Sequence, residues 1–481
     1  MADTIRYREI TPYTWEIPRT GDMRVPGLVF ANAGLMERAG QEKALEQVGN
    51  VACLPGIVKA SMAMPDIHWG YGFAIGGVAA FDREQGIISP GGVGYDIACG
   101  VRLIRSDLSA GEVADRVPGL VHELSRNIPA GVGRGGEIRL DSRAMDRVLS
   151  HGVSWALEQG YGWPEDTDAI EDGGCLEGAE PALVSDRARQ RGLSQSGTLG
   201  AGNHFIEVQR VERIYDAEAA QAFGIFEGQL CLMIHSGSRG LGHQICTEQV
   251  KLMAAAARRA GITLPDRQLA CAPIDSPEGR EYYAAMAAAV NFARTNRQVL
   301  THLARRSFEH IFNCSAERLG LGLVYDVSHN MAKFEEHRVD GENRTLCVHR
   351  KGATRSFPAG HPGVPERYRA VGQPVIVPGD MGTASYLLKG TEEAMSLSFG
   401  STCHGAGRVM GRRAARRAIS GHQLKMRLES EGITVRAGRT ASLAEEAPEA
   451  YKDIDEVVEI CHRAGLSRKV ARLRPLGVVK G

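Results

Sequence analysis

The sequence lacks the features that mark several classes of protein. No CxxC pair occurs among its ten cysteines, and their irregular spacing argues against a zinc ribbon or a disulfide framework in a chain of 481 residues. No apolar run reaches roughly 18 residues, and the first residues contain no apolar core of a signal peptide. We therefore expect reduced thiols, no membrane segment and a cytoplasmic location.

The sequence also lacks a net charge. Lysine and arginine together number 57, as do aspartate and glutamate. This balance argues against a globally basic nucleic-acid coat, so any nucleic-acid binding would need a local basic patch. Low-complexity linkers and internal repeats are absent as well. A chain of this length would ordinarily form two or three domains. The candidate site residues extend from 96 to 480, however, which favours one large α+β unit over 1–481.

Glycine, in contrast, is abundant, with 58 of 481 residues, above the usual share of about 7%. Because glycine has no Cβ, it lets the backbone approach a ligand closely. The excess is concentrated in or beside five segments that also carry potential metal ligands, namely 89–100, 197–207, 234–240, 325–330 and 398–408. Five such segments in one chain are hard to explain as unrelated turns.

The last of these segments places His404 among glycines and small residues. A basic run follows it, and small and apolar residues from Val409 onward predict that a helix begins there. The N-terminus of such a helix would offer free N–H groups to a phosphate. A histidine beside a phosphate can act as a ligand, an acid or base, or a nucleophile. Taken alone, the segment favours a simpler interpretation, a glycine-rich turn with a surface histidine.

Hydrophobic patterning predicts the main elements of structure. A continuous apolar run, 230–234, and a largely apolar one, 321–327, are typical of buried strands, and His235 and His329 follow them, where ligands commonly gather in α/β proteins. The acidic, glycine-rich stretch 160–182 predicts a surface excursion, and the residues after 466 a basic tail. Further strands are expected at 73–81, 101–105, 344–350 and 374–377, and helices at 42–51, 109–127, 244–260, 278–312 and 451–466.

Five side chains form the candidate metal site: Asp96, Cys99, His204, His235 and His329. Thiolate, imidazole and carboxylate together suit borderline divalent metals, so these residues allow Zn²⁺ or Co²⁺ as well as Mn²⁺. A thiolate can bridge two cations, and a pair roughly 3.5–4 Å apart suits an in-line phosphoryl displacement. Considered singly, a cysteine is usually a small buried hydrophobe and a histidine at a strand end a packing residue.

Together the five segments resemble those of the RtcB-type RNA ligases. This GTP-dependent family joins RNA 3′-phosphate or 2′,3′-cyclic phosphate ends to 5′-hydroxyl ends, and the match runs from residues 64–66 to 479–481. The resemblance implies an α+β fold, a single large domain with central sheets flanked by helices and an active site built from glycine-rich loops. It also implies two Mn²⁺ ions. Cys99 would bridge them, Asp96 with His204 would complete one site, and His235 with His329 the other.

The resemblance further implies that His404 attacks the α-phosphorus of GTP and carries GMP. No convincing KxDG nucleotidyl motif offers a lysine for this role. Asp380 stands where many relatives have a small polar residue, so the role of its side chain stays open. The family positions that line the nucleotide correspond to Asn203, Phe205, Glu207, His329, Asn330, Pro378, Gly379, Asp380, Met381, Ser385, His404, Gly405, Ala406, Gly407, Tyr451 and Lys480.

RNA is the partner that the resemblance implies, and family members often depend on a small activating protein, archease. Arginine grips phosphate bidentately and keeps its charge. His349 is as compatible with a structural role as with an RNA-facing one. The candidate phosphate contacts are Arg191, Arg239, Arg408 and Arg412, with Arg350, Lys351 and Arg355 as further candidates.

Two other functions fit parts of the sequence. A metallophosphoesterase could hydrolyse cyclic phosphates with the same metal ligands and never ligate, but it has no need of His404 and the nucleotide set. A non-catalytic RNA-binding scaffold would leave the metal-ligand set without a purpose, and the balanced charge argues against it. Whether the RNA is a pair of tRNA halves or damaged RNA is open at this point.

Overall fold

Two large β-sheets and one long buried helix form the framework of the chain. The structure is a computed structural model, and it describes residues 5–40 and 43–481. The strands, numbered in chain order, are β1 Arg8–Thr11, β2 Thr14–Ile17, β3 Gly27–Phe30, β4 Ile57–His68, β5 Ile75–Asp82, β6 Ile87–Ile88, β7 Gly100–Ser109, β8 Phe205–Ile214, β9 Gln229–Ser236, β10 Ala272–Pro273, β11 Leu323–Ser328, β12 Asn330–Val339, β13 Glu342–Lys351, β14 Ala353–Arg355, β15 Pro374–Val377, β16 Ser385–Lys389, β17 Ser401–Cys403, β18 Thr434–Ala437 and β19 Arg468–Lys480. The helices are α1 Ala33–Gly40, α2 Ala44–Val51, α3 Val117–Asn127, α4 Ser142–His151, α5 Val153–Glu158, α6 Asp186–Gly192, α7 Ala217–Phe223, α8 Arg239–Arg259, α9 Pro277–Phe312, α10 Glu392–Ser398, α11 Arg412–Ala418, α12 Gly421–Ser430, α13 Thr440–Leu443 and α14 Ile454–Ala464.

The first large sheet has seven strands in the order β1-β2-β3-β4-β5-β13-β12. The second follows the order β11-β7-β9-β8-β19-β16-β15, and β18 pairs with β19 in parallel. Two small sheets pair β6 with β10 and β14 with β17. The helices pack around these sheets, which confirms the predicted α+β class. The extent of a single unit over 1–481 stays a prediction.

Strand β9 is buried on both faces because its side chains are almost all apolar. Cys231 and Met233 belong to one hydrophobic cluster, and Leu230, Leu232 and Ile234 belong to another. The alternation of side chains along a strand divides the residues between the two clusters. The apolar run therefore fixes β9 in the interior and presents His235 at its end.

Helix α9 crosses the core and contacts β9. Ser276 caps its N-terminus by accepting a hydrogen bond from the backbone N–H of Gly279, and Pro277 occupies the first turn. Asn313 ends it in the left-handed conformation, at φ 49° and ψ 45°. The middle of α9 is buried although it carries several polar and charged side chains. Buried charges need partners, so this helix draws carboxylates into the core.

The strand register brings four of the five candidate segments, all except 398–408, to one edge of the second sheet. His235 of β9 lies opposite Val101 of β7 on one side and Phe205 of β8 on the other. Ser328 of β11 pairs with Gly100 of β7. The residues just before β7, just before β8 and just after β11 therefore meet around the end of β9.

Most predicted elements are confirmed with shifted ends, and the structure corrects five predictions, of which three concern where a helix begins or ends. The helix predicted over 109–127 begins only at Val117, because β7 continues to Ser109. The helix predicted from Val409 begins at Arg412, after an extended Gly411. The last helix covers Ile454–Ala464 rather than 451–466. Of the predicted helix 42–51, α2 covers Ala44–Val51, and Glu42 lies outside the described residues.

The other two corrections concern burial. The stretch 160–182 is not a surface excursion throughout, because Asp166 and Glu171 are buried and lie in ion pairs with arginines of α9. The basic tail after 466 is strand β19, which lies between β8 and β16. Composition marks both segments as polar, but it does not show the buried arginine partners of the first or the strand pairing of the second.

Candidate active site

A cavity of about 940 Å³ is lined by residues from all five of the segments 89–100, 197–207, 234–240, 325–330 and 398–408. Segments far apart in the chain meet here because the register of the second sheet aligns them, while 398–408 reaches the cavity from β17. The cavity thus combines the candidate metal ligands with His404. None of the helices in the described part of the chain is both long enough and apolar enough to cross a bilayer.

The structure brings the five predicted metal ligands together in two groups that share Cys99. Asp96, Cys99 and His204 form one group, and Cys99, His235 and His329 form the other, with the ligand atoms of each within 4.8 Å of one another. The Cys99 Sγ lies 3.4 Å from Nε2 of His204 and 3.2 Å from Nε2 of His235. This division matches the arrangement that the resemblance implied.

The electrostatics of these groups fit a divalent cation. Burial lowers the pKa values of His235 and His329 well below the usual range, so both imidazoles are neutral and present lone pairs. Their Nε2 atoms face each other at 3.4 Å. Burial raises the pKa of the Cys99 thiol, and the neighbouring Asp96 carboxylate raises it further. A cation bound by these residues would stabilise the thiolate and accept lone pairs from the neutral imidazoles.

Asp96 is held ionised at the same place. Burial favours the neutral carboxyl, but His204 and Arg239 outweigh it and lower the Asp96 pKa to about 2. Its Oδ2 lies 2.8 Å from Nε2 of His204. One carboxylate, one thiol and three imidazoles therefore converge, and this donor set suits Mn²⁺, Zn²⁺ or Co²⁺.

His404 lies beside the donors and is held by Asp66. Its Nδ1 is 2.5 Å from Oδ2 of Asp66, which also accepts the backbone N–H of His404 at 3.0 Å. Asp66 is fully buried, and the His404 ring centroid is 4.9 Å from that of His329. Because the carboxylate takes the proton-bearing Nδ1, Nε2 is the nitrogen that keeps a lone pair for chemistry.

Sequence reasoning gave Asp66 no role, although it lies in the first matched segment, 64–66. Gly407 explains how the two segments fit together. It has a φ of +73°, and a Cβ there would lie 2.2 Å from the backbone oxygen of Asp66. The glycine is therefore required for the loop of His404 to approach β4.

Another part of the cavity is lined by a buried acid, Glu207, and a buried base, Lys480. Burial raises the pKa of Glu207 to about 8, and it lowers that of Lys480. The register of β8 and β19 sets Lys480 opposite Phe205, with its ammonium 5.3 Å from the ring centroid. Lys480 is thus held within a sheet, and it does not lie in a loose C-terminal tail.

All but one of the predicted nucleotide positions line this cavity. The exception is Ser385, which contacts a lining residue, Gly379. Ser385 Oγ accepts a hydrogen bond from Gln209 and another from the backbone N–H of Gly379. The side chain of Asp380 caps its own turn by accepting from Gly382 and Thr383. The lining positions are Asn203, Phe205, Glu207, His329, Asn330, Pro378, Gly379, Asp380, Met381, His404, Gly405, Ala406, Gly407, Tyr451 and Lys480.

Two of the four predicted phosphate contacts line the cavity, and the other two do not. Arg408 and Arg412 line the cavity and pair with Glu446, which also binds the Tyr451 hydroxyl. Arg239 donates to Thr198 at 3.2 Å, close to the donor set. Arg191 donates to Gln244 and does not reach the cavity lining.

The further candidates among the basic residues are corrected. Arg350 is buried and bound bidentately by Glu335 at 2.6 and 2.8 Å, and Arg355 is buried beside Glu171. Both side chains are bound by carboxylates inside the core, so neither faces RNA. Lys351 lines the cavity, but its ammonium donates to backbone oxygens, and burial lowers its pKa to about 7. His349 is structural, because it is fully buried and accepts the Ser89 N–H at 3.1 Å.

Comparison with known proteins gives one consistent family. A family model described as tRNA-splicing ligase RtcB matches residues 47–481. The tRNA-splicing ligase RtcB of Thermococcus kodakarensis is 53% identical over 482 residues, with 100% of each chain covered. That of Archaeoglobus fulgidus is 55% identical, with 98% of each chain covered. The RNA-splicing ligase RtcB of Mycobacterium tuberculosis is 56% identical, with 90% of this chain and 100% of the relative covered. The chain therefore belongs to the RtcB family.

Proposed function

We propose that this chain is an RNA ligase that joins RNA 3′-phosphate or 2′,3′-cyclic phosphate ends to 5′-hydroxyl ends with GTP as co-substrate. The names of its relatives, tRNA-splicing and RNA-splicing ligases, support RNA ligation. The observation that carries the GTP step is the pairing of His404 with Asp66 in a cavity that is also lined by four of the five candidate metal donors and by Glu207 and Lys480. Archease as a partner and a cytoplasmic location belong to the same proposal.

In the first step, Asp66 keeps the proton on Nδ1 of His404, and Nε2 attacks the α-phosphorus of GTP. A P–N bond forms and the P–O bond to pyrophosphate breaks, which leaves GMP on His404. Arg408, Arg412 and Lys480 supply positive charge at this cavity. Glu207 can bind donor groups of the nucleoside.

In the next steps, an oxygen of the RNA 3′-phosphate attacks the phosphorus of GMP, and the P–N bond to His404 breaks. A 5′-hydroxyl then attacks the activated 3′-phosphate, and GMP leaves with the bridging oxygen. A cyclic phosphate must first be opened by water to a 3′-phosphate. Covalent catalysis thus divides one difficult joining into easier displacements.

Asp96, Cys99, His204, His235 and His329 would hold two Mn²⁺ ions. Bound there, such ions supply Lewis acidity and align the reacting oxygens. Cys99 is the donor common to both groups.

The test is transfer of label from α-³²P-GTP to the protein in the presence of Mn²⁺, followed by denaturing electrophoresis. We expect a labelled band for the wild-type chain and none for His404→Ala. A metallophosphoesterase would open a cyclic phosphate but would take no label. An unlabelled wild-type chain with its metal bound would reject the ligase and favour that alternative.

A further inference from the structure

An exposed indole lies at the rim of the cavity without a role in the proposed reaction. Trp69 is 62% exposed, more than any other aromatic side chain in residues 5–40 and 43–481, and it lines the cavity. It directly follows β4, the strand that carries Asp66. Tyr71 and Tyr95 line the same cavity, and their rings meet edge to face with centroids 5.5 Å apart.

We propose that Trp69 is a stacking platform for an unpaired base near an RNA end, with Tyr71 and Tyr95 as the adjoining wall. Unpaired bases stack on aromatic side chains with little dependence on sequence, which suits an enzyme that joins varied ends. Phe205 and Glu207 are buried deeper in the cavity, whereas Trp69 stands at the rim. This inference rests on the proposed function, because it takes RNA as the substrate.

Tryptophan fluorescence tests the proposal. The other three tryptophans lie away from the cavity lining: Trp15 donates to a backbone oxygen, Trp155 is buried and Trp163 is covered by Arg305. A single-stranded RNA with a 5′-hydroxyl and a 3′-phosphate is titrated without GTP, so that it is bound and not joined. We expect quenching in the wild type that is absent in Trp69→Phe.

Binding of the same RNA, labelled with a fluorophore, measures the contribution of the ring. Trp69→Leu keeps apolar bulk without a stacking face and should bind roughly 5- to 100-fold more weakly, whereas Trp69→Phe should stay near the wild type. Met426→Ala, which changes an exposed apolar side chain outside the cavity lining, is the control and should bind normally.

Equal affinity of Trp69→Leu and the wild type would overturn the proposal. Quenching of Trp69 by GTP alone, as strong as that by RNA, would also overturn it, because the occupant would then be the guanine. GTP labelling of the wild-type chain, measured on the same preparation, tests the proposed function separately.

A second inference comes from Arg297, one of the buried arginines of α9. Nη1 of Arg297 donates to the backbone oxygens of Ala98 at 2.8 Å and Ser236 at 3.0 Å, and Nη2 donates to Ser328 Oγ at 3.2 Å. Each of these residues is adjacent in sequence to a metal donor, namely Cys99, His235 and His329. Asp326 holds the guanidinium bidentately, with two contacts of 2.8 Å.

We infer that Arg297 is a positioning residue that sets the spacing of the three donors. The guanidinium is planar and rigid, so its hydrogen bonds hold three backbone segments in a fixed relation. A lysine at this position would keep the positive charge but would lack the planar group with several N–H donors in fixed directions. Groups that orient metal ligands typically change affinity roughly 10- to 100-fold when removed.

Arg297→Lys tests this inference, with Arg305→Lys as the matched control. Arg305 belongs to the same helix and is also buried and bidentate to a carboxylate, Asp166, at 2.7 Å for both contacts. The readouts are Mn²⁺ affinity, the visible spectrum of bound Co²⁺ and thermal unfolding without metal. We expect Arg297→Lys to bind Mn²⁺ roughly 10- to 100-fold more weakly with an altered Co²⁺ spectrum, and Arg305→Lys to lose stability only.

Ser328→Ala provides a milder variant that removes one acceptor of the guanidinium and should shift the Co²⁺ spectrum in the same direction. Unchanged metal affinity in Arg297→Lys would overturn the inference. So would an equal loss of affinity in Arg305→Lys, because the effect would then be a general one of core stability.

Discussion

Asp66 binds His404 twice, with one carboxylate oxygen 2.5 Å from the ring Nδ1 and 3.0 Å from the backbone nitrogen. The side chain and its own loop are therefore fixed by one buried group. A ring fixed by its Nδ1–H can present only Nε2 to a substrate. The contact therefore fixes the ring within a glycine-rich loop, a setting that favours mobility, as the proposed nucleophilic role of His404 requires.

Asp66→Asn should retain GTP binding but take label from GTP about 10²- to 10⁴-fold more slowly, because the amide does not enforce the Nδ1–H tautomer. The rate is measured by quenched-flow labelling, and nucleotide affinity by calorimetry. Labelling at the wild-type rate would show that Asp66 does not orient the ring.

Cys99→Ala should lose both metal ions, because its sulfur belongs to both donor groups. Elemental analysis of the purified protein gives metal ions per chain. Cys271→Ala removes a buried thiol away from the cavity lining and should retain the wild-type count. Two ions in Cys99→Ala would remove this residue from the site.

Glu207 should make stability depend on pH. Its folded pKa is raised to about 8 by burial, against an ordinary value of 4.5. Between these values the unfolded chain releases the proton and the folded chain keeps it, so stability falls as pH rises, at about 1.4 kcal/mol per pH unit at most. The loss begins above pH 4.5 and ends near pH 8.

Urea unfolding of the metal-free chain at several pH values measures this dependence. Glu207→Gln, which cannot ionise, should show a flatter profile than the wild type over that window. Parallel profiles for the two proteins would mean that Glu207 is already ionised in the folded state.

Arg408→Ala should weaken RNA binding without changing base preference. Each lost phosphate contact lowers the dependence of log K on log salt concentration by about 0.7 for a single strand. Arg427→Ala is the control, because Arg427 pairs with Glu449 outside the cavity lining. A salt dependence that is the same in Arg408→Ala and the wild type would place RNA elsewhere.

The apolar runs before His235 and His329 predicted that both histidines lie at the ends of buried strands, but the resemblance was needed to select them as metal ligands. Sequence reasoning gave no role to Asp66, whose partner is 338 residues away along the chain, a separation that no local pattern encodes. Arg350 and Arg355 were wrongly assigned to RNA because arginine in a sequence looks the same whether it meets solvent or a buried carboxylate. Lys480 depended on the resemblance, since only its pairing in β19 shows that it is held in place.

The most direct test of the central claim is the sealing of RNA whose 3′-phosphate already carries guanosine through a pyrophosphate linkage. If His404 only carries GMP, His404→Ala should seal this pre-activated RNA to a 5′-hydroxyl end while failing on an ordinary 3′-phosphate. Cys99→Ala should fail on both, because both steps are displacements at phosphorus near the same donors. The contrary result is a His404→Ala chain that folds and binds metal yet cannot seal the pre-activated end, which would show that His404 does more than carry the nucleotide.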